Sequence, residues 1–223
     1  MSTQCVIETP HGEARLVTDH PHDAQHGFAA EPLGTLLLSH GAGNGIDTAD
    51  LTALATHLPA NGFEVVRLEQ PWKRAGRKVA TPPPTLDAAL TAAARHLQRE
   101  VPLVVGGRSA GARSAARCAA HLHAAGCLAL AFPLHPPGRP EKSRLPELLA
   151  VGVPTLLVQG ERDTMGRPEE FPEDLPGHVD LTVVPDADHG FHVRKSGSAT
   201  PELAMEVVVE AVLEWLVREI IGD

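Results

Sequence analysis

Leu103-Val104-Val105-Gly106-Gly107-Arg108-Ser109-Ala110-Gly111-Ala112-Arg113 begins as a short apolar strand, passes through a turn of small residues and continues as the start of a helix. Within it, Gly107-Arg108-Ser109-Ala110-Gly111 has the form G-x-S-x-G, which sets a serine on a sharp bend between strand and helix. Geometry asks for the glycines. The serine backbone is forced into a strained conformation, and side chains at the flanking positions would collide with the neighbouring strand and helix. The Ser109 hydroxyl is then exposed, and the backbone N–H of Ala110 stands beside it at the helix N-terminus, placed to receive developing negative charge. Turns rich in Gly and Ser are common in α/β chains, so the weight of this one depends on what flanks it.

Outward from it, apolar runs alternate with helical patterns. Cys5 to Thr9 and Glu13 to Thr18 read as a hairpin turning at Pro10-His11-Gly12. Gly34 to Ser39 is a buried strand ending in His40-Gly41-Ala42-Gly43, and Asp47 is expected to cap a helix running to Leu58, with Asp50 in its first turn. Phe63 to Leu68 is the next strand, Pro71 to Pro84 a proline-broken loop, and Thr85 to Arg99 a helix by its apolar period. After the serine turn an alanine-rich helix is expected to reach Ala125 and end at Gly126. Strands at Leu128 to Phe132, Pro154 to Gly160 and Leu181 to Val184 follow, with a short helix near 146–150. Pro201 to Ile221 closes the chain as an amphipathic helix expected to pack Leu203, Val207, Val208, Ala211 and Trp215. Continuous apolar strands separated by helices mean a mostly parallel sheet covered on both faces, in one domain spanning 1–223.

Such sheets place ligands outside the carboxyl ends of their strands. Ser109, Asp163 and His189 all stand there, at the ends of three of the last four strands. The order Ser…Asp…His is that of the α/β-hydrolase fold. A lone Asp after a strand usually caps a turn, and His189 is one of thirteen histidines; what counts is the three arriving together in this order. Asp186 and Asp188 compete with Asp163, but acids so near His189 in sequence are badly placed to reach the far side of its ring. In such a triad the histidine relays the serine proton and the aspartate fixes the histidine tautomer. The Ala42 N–H is nominated as second oxyanion donor beside that of Ala110, with the alternative that these glycines merely make a tight turn.

Composition excludes several other functions. A net charge of −9 argues against general binding to nucleic acid or acidic lipid. Cys5, Cys118 and Cys127 lack metal-ligand spacing, so a reduced, cytoplasmic protein with no metal or cofactor is expected. No leader-like segment and no apolar stretch near the roughly 18 residues of a membrane span is visible. His20, His22 and His26 with Asp19 and Asp23 could conceivably hold a metal, although a solvated polar loop is the simpler reading. Absence of tyrosine removes one possible oxyanion donor.

Five segments together, His40-Gly41-Ala42-Gly43, Gly106 to Arg113, Pro133-Leu134-His135-Pro136-Pro137-Gly138, Gln159-Gly160-Glu161-Arg162-Asp163 and Asp188-His189, resemble an α/β-hydrolase-like family. That family includes testis-expressed protein 30 and a scaffold subunit of a chromatin acetyltransferase complex. The resemblance runs from Gly34 onward, with Pro-Leu-His-Pro-Pro-Gly its most specific part. More distantly the chain is similar to dienelactone hydrolases, whose nucleophile is a cysteine where Ser109 stands here. The resemblance strengthens the expectation of the fold and the triad and leaves the substrate open.

With only Leu134 to Val153 between two strands, no large lid is expected. From Arg67 to Lys78 five bases face one acid, and from His135 to Arg144 three bases face one. These segments suggest a rim, with Arg74 and Arg77 among its substrate-binding bases, that attracts a carboxylate or phosphate, and Arg108 or Arg113 nearer the centre; solvated, acid-paired loops are the alternative. His40 and Gly41 are placed with the substrate-contacting turn, and His135 either touches substrate or fixes its proline-rich loop. The expectation is a serine hydrolase cleaving an ester, thioester or similar acyl bond of a small molecule. Its rival is a non-catalytic binding or scaffold module on the same fold.

Overall fold

The computed structural model describes residues 2–22, 31–97, 100–197 and 199–222. In chain order these form β1 (Ser2–Thr9), β2 (Gly12–Asp19), β3 (Gly34–Ser39), α1 (Ala49–His57), β4 (Phe63–Glu69), a single-turn α2 (Pro71–Arg74) and α3 (Pro83–Leu97). Then come β5 (Leu103–Arg108), α4 (Ala110–Cys118), β6 (Gly126–Leu130), a short α5 (Leu145–Leu149), β7 (Thr155–Gly160), β8 (Val179–Val184) and α6 (Pro201–Trp215). The strands make one sheet in the order β1-β2-β4-β3-β5-β6-β7-β8. The β1–β2 hairpin joins antiparallel through β2 to β4, and the remaining neighbours are parallel.

Continuous apolar strands are explained by burial on both faces. In β3, Leu37 points into one core layer and Leu36 and Leu38 into the other; β5 divides Val105 and Val104 in the same way. Helices α3, α4 and α5 cover the first layer, while α1 and α6 cover the second. Each fully buried Leu or Val contributes roughly 1.5–3 kcal/mol, so a one-residue slip of any central strand would exchange its two apolar sides at large cost.

Several expected boundaries move. The alanine-rich helix stops at Cys118, and Gly126 opens β6 where it was expected to end that helix. Helix propensity yields there to sheet pairing: the Ala125 N–H bonds the Leu103 carbonyl, and a Cβ on Gly126 would lie 2.7 Å from both Trp215 and Ile220. Thr48, not Asp47, occupies the N-cap of α1, without a side-chain capping bond. Pro71 already starts a helical turn, and α3 begins at Pro83. On α6 the buried face is Ala204, Val208, Val212 and Trp215, and Leu203 is exposed, so the apolar stripe is rotated from the expected one. The helix runs on as a π-helical turn, Leu216–Ile221. Asp23, His26 and Arg99 lie outside the described residues. His20 instead bonds Glu64 and Thr3, and among the described residues no group of three or more His, Cys, Asp or Glu could hold a metal ion.

Candidate active site

The site is assembled at the carboxyl ends of β3, β5, β6, β7 and β8. Ser109 follows β5 at φ 54°, ψ −112°, in the left-handed half of the map that L-residues avoid at a cost of roughly 1–3 kcal/mol. Neighbouring backbone leaves the turn no alternative: a Cβ on Gly107 or Gly111 would sit 2.2 or 2.1 Å from the Ser39 carbonyl oxygen. The Ser109 N–H is held by the Leu130 carbonyl at 2.9 Å. Strain gathers at this end of the sheet, with Ala131, Asp186 and Phe191 also at positive φ.

From this turn the Ser109 hydroxyl lies 2.9 Å from Nε2 of His189, whose Nδ1 lies 2.7 Å from Oδ2 of Asp163. A carboxylate can only accept, so Nδ1 carries the proton and Nε2 accepts from the serine. Asp163 is fully buried. Its Oδ1 accepts the Met165 N–H at 2.8 Å and its Oδ2 accepts from Nε2 of Gln159 at 2.9 Å. Gln159 also donates to the Gly166 carbonyl at 2.7 Å and so ties the acid to its own loop. Asp188 organises the histidine loop, accepting the N–H groups of Gly190 and His192 at 2.7 and 3.0 Å. Those bonds help hold its carboxyl below the usual range against the opposing effect of burial.

Gly41 packs directly on the serine, where a Cβ would come within 3.3 Å of Ser109 Cβ. The N–H groups of Ala42, in the same turn, and Ala110 have no acceptor among the described residues. His40 fixes this turn from beneath. Its ring is fully buried, Nδ1–H donates to the Gly41 carbonyl at 2.7 Å, and Nε2 accepts the Gln70 N–H at 3.0 Å. Burial pushes its pKa down, so the ring is a neutral spacer.

The alternation of strands and helices around a mostly parallel sheet is matched by comparison with known proteins. A profile described as the alpha/beta hydrolase domain matches residues 32–217. The chain belongs to the α/β-hydrolase domain family. Similar solved structures include a lidless α/β serine hydrolase from Xanthomonas campestris, 21% identical with TM-score 0.72, covering 96% of this chain and 94% of that one. A dienelactone hydrolase from Anabaena variabilis is 18% identical with TM-score 0.73, covering 99% and 98%. An α/β serine hydrolase homologue from Coxiella burnetii is 20% identical with TM-score 0.72, covering 93% and 96%. This hydrolase-family chain also lacks a large lid: only a 3-10 turn at Pro140–Lys142 and α5 lie between β6 and β7.

Of the residues expected to touch substrate, most are committed elsewhere. Arg74 is exposed and pairs with Glu13 at 2.9 Å. Arg113 and Arg117 are locked to Glu147 and Asp87, and Arg67 to Asp19. Arg108 is 6% exposed and engaged with Asp50 and with the His189 carbonyl. His40 is spent on its turn. His135 fixes its loop: Nδ1 and Nε2 face the Pro136 carbonyl at 2.9 Å and Glu170 Oε2 at 2.8 Å, while its backbone N–H bonds the Met165 carbonyl. Two acceptors demand two ring protons, and the Pro136 carbonyl, with Glu170 behind it, raises the His135 pKa. Arg77 remains exposed and unpaired among the described residues.

Sequence reasoning missed Gln159, Asp50 and Glu170. Gln159 did carry a signal, being a polar side chain in an otherwise apolar central strand; Asp50 and Glu170 carried none, since each looks like an ordinary first-turn acid. Beside His189, a cavity of about 350 Å³ is lined by Asn44, Gly45, Thr48, Arg108, Gly190 and His192, among others. A larger hollow of about 650 Å³, between His57 and α6, includes no candidate residue. Cys118 and Cys127 are buried thiols pushed up to about 11 and about 12, which leaves them protonated and unreactive.

Proposed function

We infer that the protein is a serine hydrolase that cleaves an ester or thioester of a small molecule through Ser109, His189 and Asp163. The reading rests on one observation: a strained serine whose hydroxyl is in line with a histidine and a fully buried carboxylate, at 2.9 and 2.7 Å. As Oγ attacks the carbonyl carbon, its proton passes to Nε2, and the oxyanion is received by the N–H groups of Ala42 and Ala110. The same proton then moves to the leaving alcohol or thiol as its bond to carbon breaks. Water repeats the sequence on the acyl-enzyme, releasing the acid and restoring Ser109. Asp163 keeps the proton on Nδ1 throughout and stabilises the imidazolium. A short β6–β7 connection favours small substrates that need no lid.

The rival reading, a binding or scaffold module like one member of the group the sequence resembles, has no such observation behind it. A fluorophosphonate probe separates the two. We expect Ser109 to label in the wild-type protein and no label in Ser109→Ala, together with turnover of short acyl p-nitrophenyl esters. A folded wild type that neither labels nor turns over would favour the module.

A further inference from the structure

We propose that Arg108, aimed by Asp50, is a positioning residue that holds His189 in register with the nucleophile; this rests on the triad reading above. Arg108 immediately precedes Ser109, yet its side chain turns into the protein. Its Nη2–H donates to the main-chain carbonyl of His189 at 2.7 Å. Its Nε stands 3.1 Å from Asp50 Oδ2, a charge pair without the alignment of a hydrogen bond. Asp50 is 1% exposed, and its carboxylate has no hydrogen-bond donor among the described residues. Nη1 lies under the oxyanion turn, 3.6 Å from where a Gly41 Cβ would be. One guanidinium, carried by the residue before Ser109, therefore lies against the Gly41 turn and bonds the histidine loop.

The histidine loop needs such a contact. On its β7 side it is fastened by the Arg162 N–H to the Ala187 carbonyl at 2.8 Å and by Arg162 Nε to the Asp186 carbonyl at 2.9 Å. Within itself it is closed by Asp188 and anchored by buried Phe191. On the serine side, where the ring must meet Oγ, Arg108 is the one described side chain that bonds the His189 backbone. Burying a guanidinium and a carboxylate is a poor way to gain stability, since apolar groups of similar volume do as well or better. What the pair supplies is placement: with its charge held beside Asp50, the planar guanidinium sets Nη2 on the His189 carbonyl. The same geometry removes Arg108 from substrate recognition, because its charge is already balanced.

The test compares wild type, Arg108→Met, Arg108→Lys and the double variant Arg108→Met/Asp50→Leu. We expect Arg108→Met to lower kcat about 10- to 100-fold with KM unchanged, the effect of a small displacement of a reacting group. Arg108→Lys, which can still reach the carbonyl, should keep more of kcat. The double variant removes the stranded carboxylate and should regain the thermal stability lost in Arg108→Met while kcat stays low. Recovery of kcat together with stability in the double variant would make the pair merely structural and overturn the proposal. So would a rise in KM at constant kcat, which would make Arg108 a substrate contact. Should the wild type fail to label with fluorophosphonate, the functional reading fails, and the proposal is then read from the His189 Nδ1–H proton resonance. That signal should be sharp in the wild type and broadened by exchange in the double variant; an unchanged signal overturns it.

Discussion

Two hydrogen-bonded chains in this molecule join a hydroxyl, a histidine and a buried carboxylate. At the carboxyl ends of the strands Ser109, His189 and Asp163 are linked at 2.9 and 2.7 Å. At the opposite end Thr3, His20 and Glu64 are linked at 2.8 and 2.9 Å, and Glu64 is 1% exposed, as well buried as Asp163. By distance alone they are equivalent. They differ in what surrounds the hydroxyl. Thr3 lies in the ordinary extended backbone of an edge strand. Ser109 is strained, stands at the start of a helix, and touches a turn whose N–H groups have no partner among the described residues. A hydroxyl–histidine–acid chain is cheap to assemble; a strained serine turn beside N–H groups without a partner among the described residues is not, and that turn distinguishes the two ends.

The sharpest way to break the comparison is at the hydroxyls. Ser109→Ala should lower kcat by about 10⁶-fold, the scale seen when a triad serine is lost, whereas Thr3→Ala should leave kcat/KM at the wild-type value. Steady-state hydrolysis of a short acyl ester reads both, and a comparable loss in Thr3→Ala would mean the edge triplet takes part. The next effect is at the acids. Gln159→Leu removes the donor to Asp163 Oδ2 and leaves the Gly166 carbonyl unpaired. We expect a stability loss of about 1–3 kcal/mol in urea titration, with a fall in kcat and little change in KM. Unchanged kcat in a folded Gln159→Leu protein would show that Asp163 is held well enough by the Met165 N–H and the His189 ring.

These contrasts also show what a sequence can and cannot reveal. The serine turn was legible because its glycines answer a local collision, and Asp163 and His189 because each stands in the turn that follows an apolar run. The end of α4 was not, since nothing in Ala119 to Ala125 opposes a helix; pairing with β5 decides it. Partners of charges were least legible of all. Arg74 and Glu13 are 61 residues apart, and only the antiparallel pairing of β2 with β4 brings that hairpin to α2. The Thr3–His20–Glu64 chain was hidden for the same reason. Arg108 reads as a substrate contact from its place beside Ser109, and nothing in the sequence announces its contacts with Asp50 and the His189 carbonyl.

A third histidine–acid pair, His135 with Glu170, sharpens the comparison in another direction, because here both ring nitrogens face acceptors and the protonated ring is favoured. Its raised pKa means the pair's contribution is fully present below the unfolded histidine value of 6.5 and is lost as pH rises through the folded value. The lowered pKa of Glu170 adds a contribution present above 4.5 and lost as pH falls through its folded value. The stability difference between wild type and Glu170→Gln should therefore be largest between pH 4.5 and 6.5 and shrink above that window. Glu170 is partly solvated, so the maximum should not exceed about 1 kcal/mol. Denaturant melts at several pH values read it directly, and a difference that grows toward alkaline pH would contradict the doubly protonated ring.

The smallest expected effect concerns the basic rim. Arg74 is neutralised by Glu13, so Arg74→Ala should leave the preference between anionic and neutral esters where it was. Arg77 is exposed and unpaired among the described residues, so Arg77→Ala should lower kcat/KM for an anionic ester alone, by no more than about fivefold. The difference should vanish near 1 M salt, where the screening length is about 3 Å and an exposed charge no longer acts at a distance. Equal rates for both esters, indifferent to salt in all three proteins, would mean that the unpaired bases are solvated surface and the cleft selects by shape.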